Sequence, residues 1–252
     1  LPIEILDSIS ATARKEALAA VAKVPLETAV GGTTSQWIDS LFIRLADREG
    51  IAVPRTRRGG KSDAITGGYV HEVEAGLKEW VAVLDFKSMY PSIMISNNIC
   101  YTTRVDQVDE HTQVNESPSG AKFLAKESRE GLVPRLLQDL MAQRDTHKSM
   151  MKSVEDESQR LFHDQMQYAV KILMNSFYGV FASAFYRFTH ADIGSAITAW
   201  ARSNIKKIIR ELEEEGHPVV YSDTDSVFVS APKEGKDALV NFGNELAERF
   251  TK

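Results

Sequence analysis

The spacing of apolar and polar residues divides the chain into helical and extended stretches. Residues 1 to 30 mix small and apolar residues at helical spacing, with a stop expected at Gly31-Gly32. In TTSQWIDSLFIRLADREG, Thr33, Thr34 and Ser35 offer an N-cap. Trp37, Leu41 and Leu45 share one face, and Gly50 is suited to close the helix. GGYVHEV and EWVAVLDF are rich in valine and aromatics and read as strands. Residues 104 to 130 are polar, with NESPSG as a turn and only Phe123-Leu124 suggesting a short strand. From Leu132 the helical period dominates. LVPRLLQDLMAQRDTHKSMMKSV predicts one long helix with Pro134 in its first turn. DESQRLFHDQMQYAVKILMNSFYG predicts a second, ended by Gly179. Their short connection predicts an antiparallel pair projecting from a sheet. ADIGSAITAWARSNIKKIIRELEEEG predicts a third long helix. PVVY and SVFVS then form a hairpin around SDTD, and GKDALVNFGNELAERF is a last helix. Strands, helices, hairpin and helix in this order give an α+β fold class.

Composition adds bounds to this pattern. The chain has 252 residues, 43% hydrophobic and 26% charged, enough for one large domain or two small ones. No apolar run approaches the ~20 residues of a membrane span. The first residues lack the basic start and apolar core of a signal peptide, which makes the cytoplasm the simplest location. Cys100 is the only cysteine, so an intrachain disulfide is excluded. The net charge of −5 argues weakly against a nucleic-acid partner. Charge is local, however, and RTRRGGK, from Arg55 to Lys61, is a basic patch that could equally be a solvated loop.

The candidate chemistry lies in the carboxylates. Asp223 and Asp225 are two residues apart and able to face one spot. Alone, DTD is an ordinary turn sequence. Asp85, closing the apolar run WVAVL, changes that reading, because a strand end beside a hairpin can bring three carboxylates together. Such groups repel unless neutralised. Mg²⁺ suits a few carboxylates completed by phosphate oxygens, the donor set of two-metal phosphoryl transfer. The helices offer opposite charge. Arg144 and Lys148 share one helical face, as do Lys171, Asn175 and Tyr178 on the next helix. Together they could grip a triphosphate, although a solvated stripe is the plain alternative for Arg144 and Lys148.

DFKSMYPS, KILMNSFYG and YSDTDS resemble motifs A, B and C of the family B DNA polymerases, in the same order. The resemblance extends to TSQWIDSLFIRLADREGIAVP, GGYVHEVEAGL and SAITAWAR, runs from about residue 25 to the end, and is strongest toward archaeal members. It implies a palm, an antiparallel sheet with packed helices, and an antiparallel two-helix fingers subdomain. The expected division is a helical connector over 1–32, palm over 33–130, fingers over 131–182 and palm again over 183–252. It also implies template-directed DNA synthesis. Asp85 and Asp225 would hold two Mg²⁺ ions, with Mn²⁺ as a substitute, and Asp223 would be a lesser ligand. The Phe86 carbonyl would complete the metal shell. The Ser88 and Met89 amides would touch the triphosphate, and Tyr90 would exclude a 2′-hydroxyl. Arg144, Lys148 and Lys171 would bind the β- and γ-phosphates, and Asn175 and Tyr178 would pack at the nascent base pair. The metals would activate the primer 3′-hydroxyl and neutralise the leaving pyrophosphate.

The resemblance has gaps. Family members commonly carry Tyr-x-Gly-Gly before motif A, where this chain has Ile65-Thr66-Gly67-Gly68. No exonuclease motif is present, and no Lys-x-Tyr segment or thumb follows motif C. The expected partners are therefore primer-template DNA, deoxynucleoside triphosphates, a second polypeptide or segment carrying the thumb, and a sliding clamp, with no membrane. Two other readings stay open: another palm-type two-metal nucleotidyl transferase, and an inactive polymerase-like scaffold. KILMNSFYG on a long helix disfavours the first. The retained Asp85, Asp223, Asp225, Arg144 and Lys171 disfavour the second.

Overall fold

The computed structural model describes residues 2–55, 65–72, 75–183, 186–188, 190–232 and 234–251. Apart from Arg55, the basic patch RTRRGGK lies outside them. Three helices, α1 (Pro2–Ser8), α2 (Ala11–Ala22) and α3 (Leu26–Gly31), fill the expected N-terminal helical stretch. They are broken at Ser10 and Lys23, both in the left-handed region, and at Pro25. α4 (Thr34–Arg48) opens with a capping box between Thr33 and Gln36. It buries Trp37, Leu41 and Leu45, and Gly50 follows it at φ +62°.

The main sheet has the order β1-β6-β5, all antiparallel, with β1 (Val81–Asp85), β5 (Val219–Asp223) and β6 (Ser226–Ser230). α9 (Lys236–Phe250) packs against β1. α8 (Ala191–Glu214) packs against β5 and against α5 (Met89–Ser96). The expected strand in GGYVHEV is reduced to a single bridge between Val70 and Asp223, while Val73 lies outside the described residues. Gly67 and Gly68 add no side chains to pack there.

Residues 104 to 130 hold more structure than their polarity suggests. β2 (Arg104–Val105), β3 (Val114–Glu116) and β4 (Lys122–Leu124) form a second small sheet in the order β2-β4-β3. Its strands are two or three residues long, too short to show alternation. The buried Asn98 ties this sheet to the helix that follows. Its Nδ2 donates to the carbonyls of Leu124 and Arg129, both at 2.8 Å, and its Oδ1 accepts from the Gly131 amide at 2.9 Å. Its φ of +53° suits asparagine.

Gly131 is the N-cap of α6 (Leu132–Ser153), with Pro134 in the first turn as expected. α7 (Glu157–Phe181) runs back along α6, capped by the Asp156 carboxylate on the Gln159 amide. Gly179 does not end this helix. The turn continues to Phe181 because Val180 and Phe181 are buried, which outweighs the roughly 1 kcal/mol cost of a helical glycine. Phe42, Phe177, Phe181 and Phe188 form one aromatic cluster, with centroids 5.2–5.8 Å from Phe42. That cluster roots the α6–α7 pair on α4. Among the described residues no helix is long and apolar enough to cross a membrane.

Replacing Asn98 with alanine strands the buried Gly131 amide and two part-buried carbonyls. The unfolding free energy should fall by about 3 kcal/mol or more, read by urea titration of the circular dichroism signal. A loss below about 1 kcal/mol would show that Asn98 does not seat α6.

Candidate active site

Strand register brings the aspartates to one end of the main sheet. Asp85 pairs with Ser226, and Ser226 pairs on its other side with Asp223. With strands about 4.8 Å apart, the Asp85 and Asp223 backbones flank β6 roughly 10 Å from each other. Asp225 sits in the turn between them. Its carbonyl accepts the Phe86 amide at 2.9 Å, which fixes it beside the residue that follows Asp85. The Asp225 carboxyl is pushed above the usual carboxylate range, first by burial and then by the negative charge of Asp85, with Asp223 adding less.

The turn itself is tight. The Asp225 amide reaches the Asp223 carbonyl at 2.6 Å across Thr224, whose φ is +55°. A β-branched residue in this region is an outlier and stores on the order of 1–3 kcal/mol. Both Asp223 carboxylate oxygens have local partners. Thr224 Oγ1 donates to one at 2.9 Å, and the Tyr221 hydroxyl approaches the other at 3.4 Å.

Among the described residues, no three His, Cys, Asp or Glu side chains are grouped so as to hold a metal ion, so the three carboxylates do not form the expected single cluster. The arrangement is a close pair, Asp85 and Asp225, with Asp223 to one side. That set suits Mg²⁺, which takes one or two carboxylates and completes its shell with water and phosphate oxygens. The raised Asp225 carboxyl marks a spot where added positive charge is favourable.

Ser88 has φ +56° and is the N-cap of α5, whose first intrahelical bond runs from the Ser92 amide to the Ser88 carbonyl. The first-turn amides have no carbonyl partner within the helix, as at any helix start. Tyr90, in this first turn, stacks on Tyr178 of α7 with ring centroids 4.4 Å apart. The Tyr90 hydroxyl is pushed up by burial first, then by Tyr178 and Asp225. This stack joins the strand-end carboxylates to the helix pair.

On α7, Lys171 and Asn175 are exposed and Tyr178 is half-buried, while Val170, Leu173, Met174 and Phe177 face the core. The shared face expected for Lys171, Asn175 and Tyr178 is therefore the open one. On α6, Arg144 and Lys148 are half-buried, and Arg144 Nε is buried without a hydrogen-bond partner. His147 and His163 meet at 2.9 Å and set the antiparallel register. At 1.5 Å per residue, Lys171 then lies about 7 Å along the axis from Arg144 and about 13 Å from Lys148. The cations form a ladder, with Lys171 innermost. An exposed ion pair, Lys87 to Asp145 at 3.2 Å, joins the Asp85 loop to α6.

Sequence spacing did not single out Arg202 or Lys87. Arg202 is close enough to Tyr90 and Tyr178 to favour their ionised forms. Its i, i+4 partner Lys206 was a usable signal.

The sequence pattern of DNA polymerase family B matches residues 24–252. The chain belongs to that family. It is 30% identical over 268 residues to the DNA polymerase delta catalytic subunit of Glycine max, covering 100% of this chain and 25% of that protein. It is 39% identical over 179 residues to a DNA polymerase of Thermococcus gorgonarius, covering 71% of this chain and 22% of that protein. The family B DNA polymerase of Pyrobaculum calidifontis superposes with a TM-score of 0.75 at 26% identity, over 96% of this chain and 32% of that one. The chain thus spans about a quarter of the length of the curated relatives it matches.

Asp85→Asn removes the charge that most opposes ionisation of Asp225. An acid whose folded pKa is raised destabilises the fold once pH exceeds its unfolded pKa, and the penalty vanishes when it is protonated. With chelator present, Asp85→Asn should melt above the native chain at pH 7. The gap should close as pH falls below about 4. A lower Tm at pH 7 would contradict the crowding of these carboxylates.

Proposed function

We propose that this chain is the catalytic palm and fingers of a family B DNA polymerase. It would extend a primer 3′-hydroxyl with deoxynucleoside triphosphates on a DNA template. The proposed boundaries are a helical connector over 1–32, palm over 33–130 and 183–252, and fingers over 131–182. The observation carrying this reading is the Tyr90–Tyr178 stack beside Asp225, which unites motif A, motif B and motif C in one site.

Asp85, Asp225 and the Phe86 carbonyl would hold Mg²⁺, with Asp223 orienting from the side. Bound there, a pair of such ions would make the primer hydroxyl a better nucleophile and offset charge on the departing pyrophosphate. The chain's own groups do the rest. The first-turn amides of α5, at Ser88 and Met89, would donate to the triphosphate. Lys171 and Arg144 would meet the β- and γ-phosphates, with Lys148 at the outer end of the ladder. Their fixed positive charge favours the arrangement in which negative charge builds on the phosphates. The buried, unpartnered Arg144 Nε is a donor in need of an acceptor. Tyr90, backed by Tyr178, would sit under the sugar and leave no room for a 2′-hydroxyl. Asn175 would lie on the same open face, toward the new base pair. Primer-template DNA is the implied macromolecular partner. A thumb supplied elsewhere and a sliding clamp are further expected partners.

Primer extension in Mg²⁺, with a thumb-carrying segment supplied, tests the reading. Asp225→Asn should lower kcat by about 10²-fold or more without loss of the fold. Retained activity would refute the metal role. Lys171→Ala should raise the KM for nucleotide about tenfold or more while duplex affinity changes little. An equal loss of duplex affinity would make Lys171 a DNA contact. Tyr90→Ala should raise ribonucleotide use relative to deoxyribonucleotide use, and an unchanged ratio would remove Tyr90 from sugar selection.

A further inference from the structure

Gly194, Thr198, Arg202 and Lys206 recur every fourth residue and form one ridge of α8. The segment from Ile65 to His71 lies along this ridge. At its start, Ile65 fills the notch at Gly194, where an added Cβ would lie 2.6 Å from Ile65 Cδ1. Two turns on, Arg202 Nη1 donates to the carbonyls of Thr66 at 2.6 Å and Gly67 at 2.7 Å. One turn further, Lys206 Nζ sits 5.0 Å over the Tyr69 ring. The helix thus holds the segment by shape, by two hydrogen bonds and by a cation–π contact.

The other side of the segment faces the Asp223–Asp225 turn. The Thr224 amide donates to the Tyr69 carbonyl at 2.9 Å, and the His71 amide donates to the Ser222 carbonyl at 2.9 Å. Val70 bridges Asp223. Gly68 approaches Thr224 so closely that an added Cβ would sit 2.6 Å from its Oγ1 and 3.0 Å from its Cγ2. Thr224 is the residue with φ +55°.

We propose that residues 65–71 are a strap, clamped to α8 by Arg202, that holds the strained Thr224 turn in place. Arg202 is then a positioning residue. It acts through the strap on the aspartate turn, because its Nη1 is committed to two backbone carbonyls. Gly68 is the point of transmission, since only glycine lets the strap lie against Thr224. The consequence for catalysis rests on the function proposed above. The mechanical link rests on the geometry alone.

Two experiments test it. The first is amide exchange in the chain carrying Arg202→Gln, which needs no activity. The Thr224 and His71 amides should exchange about tenfold faster or more, while Ala82 and Val229, inside the β1–β6 ladder, keep their rates. Unchanged exchange at Thr224 overturns the proposal, as does equal acceleration throughout the sheet. The second is a mutant cycle read by primer extension. Gly68→Ala should lower kcat about tenfold or more with nucleotide KM unchanged. In a Thr224→Ala background, which removes the two nearest atoms, the same change should cost less than about threefold. Equal losses in both backgrounds overturn the proposal. Failure of the native protein to extend any primer with a thumb-carrying segment supplied would instead refute the proposed function, and amide exchange would still decide the strap.

Discussion

Charge repulsion at one end of a three-stranded sheet is the constraint around which this molecule is organised. Asp85 and Asp225 are held beside each other by backbone hydrogen bonds, and Asp223 stands one strand away. Folding alone would favour spreading such carboxylates apart. Here the register of β1 on β6 and the Phe86-to-Asp225 hydrogen bond prevent that. The cost is carried by the apolar packing of α8 and α9 on the sheet. A site that stores repulsion in this way gains most when a cation arrives with its own oxygen ligands. In the proposed function, an incoming nucleotide would provide those.

The helix pair depends on that sheet end and answers it. α6 and α7 are rooted through Phe42, Phe177, Phe181 and Phe188, and α6 is seated by Asn98. From this root, α7 brings Tyr178 onto Tyr90 while Lys171 stays open. At this junction Asp85 lies at a strand end, Asp225 in the adjoining turn and Lys171 on a helix, with an aromatic stack between them. The Lys87–Asp145 pair bridges the same junction, but as an exposed pair it contributes only about 0–1 kcal/mol. The stack and the core contacts, more than this pair, set how α6 and α7 sit.

Much of this was legible in the sequence because it is written in local pattern. Asp85 at the end of an apolar strand, DTD within a hairpin and Lys171-Asn175-Tyr178 at helical spacing each need only one element to be recognised. Helix α4 was legible for the same reason, since Thr33, Thr34 and Ser35 offer an N-cap and Trp37, Leu41 and Leu45 share one face. What was not legible depends on distant partners. Gly179 reads as a helix stop until the burial of Val180 and Phe181 is known. β2, β3 and β4 are too short for alternation and exist because they pair with each other. The eight-residue helix α5 begins at the left-handed Ser88 and carries Pro91 in its first turn, a start that the motif alone did not reveal. The partners of Arg202 were not legible because they are the carbonyls of Thr66 and Gly67, more than 130 positions away.

The most direct test of the shared carboxylate site is the location of bound metal. Crystals of the chain grown with Mn²⁺ and a non-hydrolysable deoxynucleoside triphosphate would show metal by anomalous scattering. The account predicts a peak bonded to both Asp85 and Asp225, with oxygen distances near 2.1–2.2 Å. Metal bound by Asp223 alone, or away from the end of β1, would contradict it.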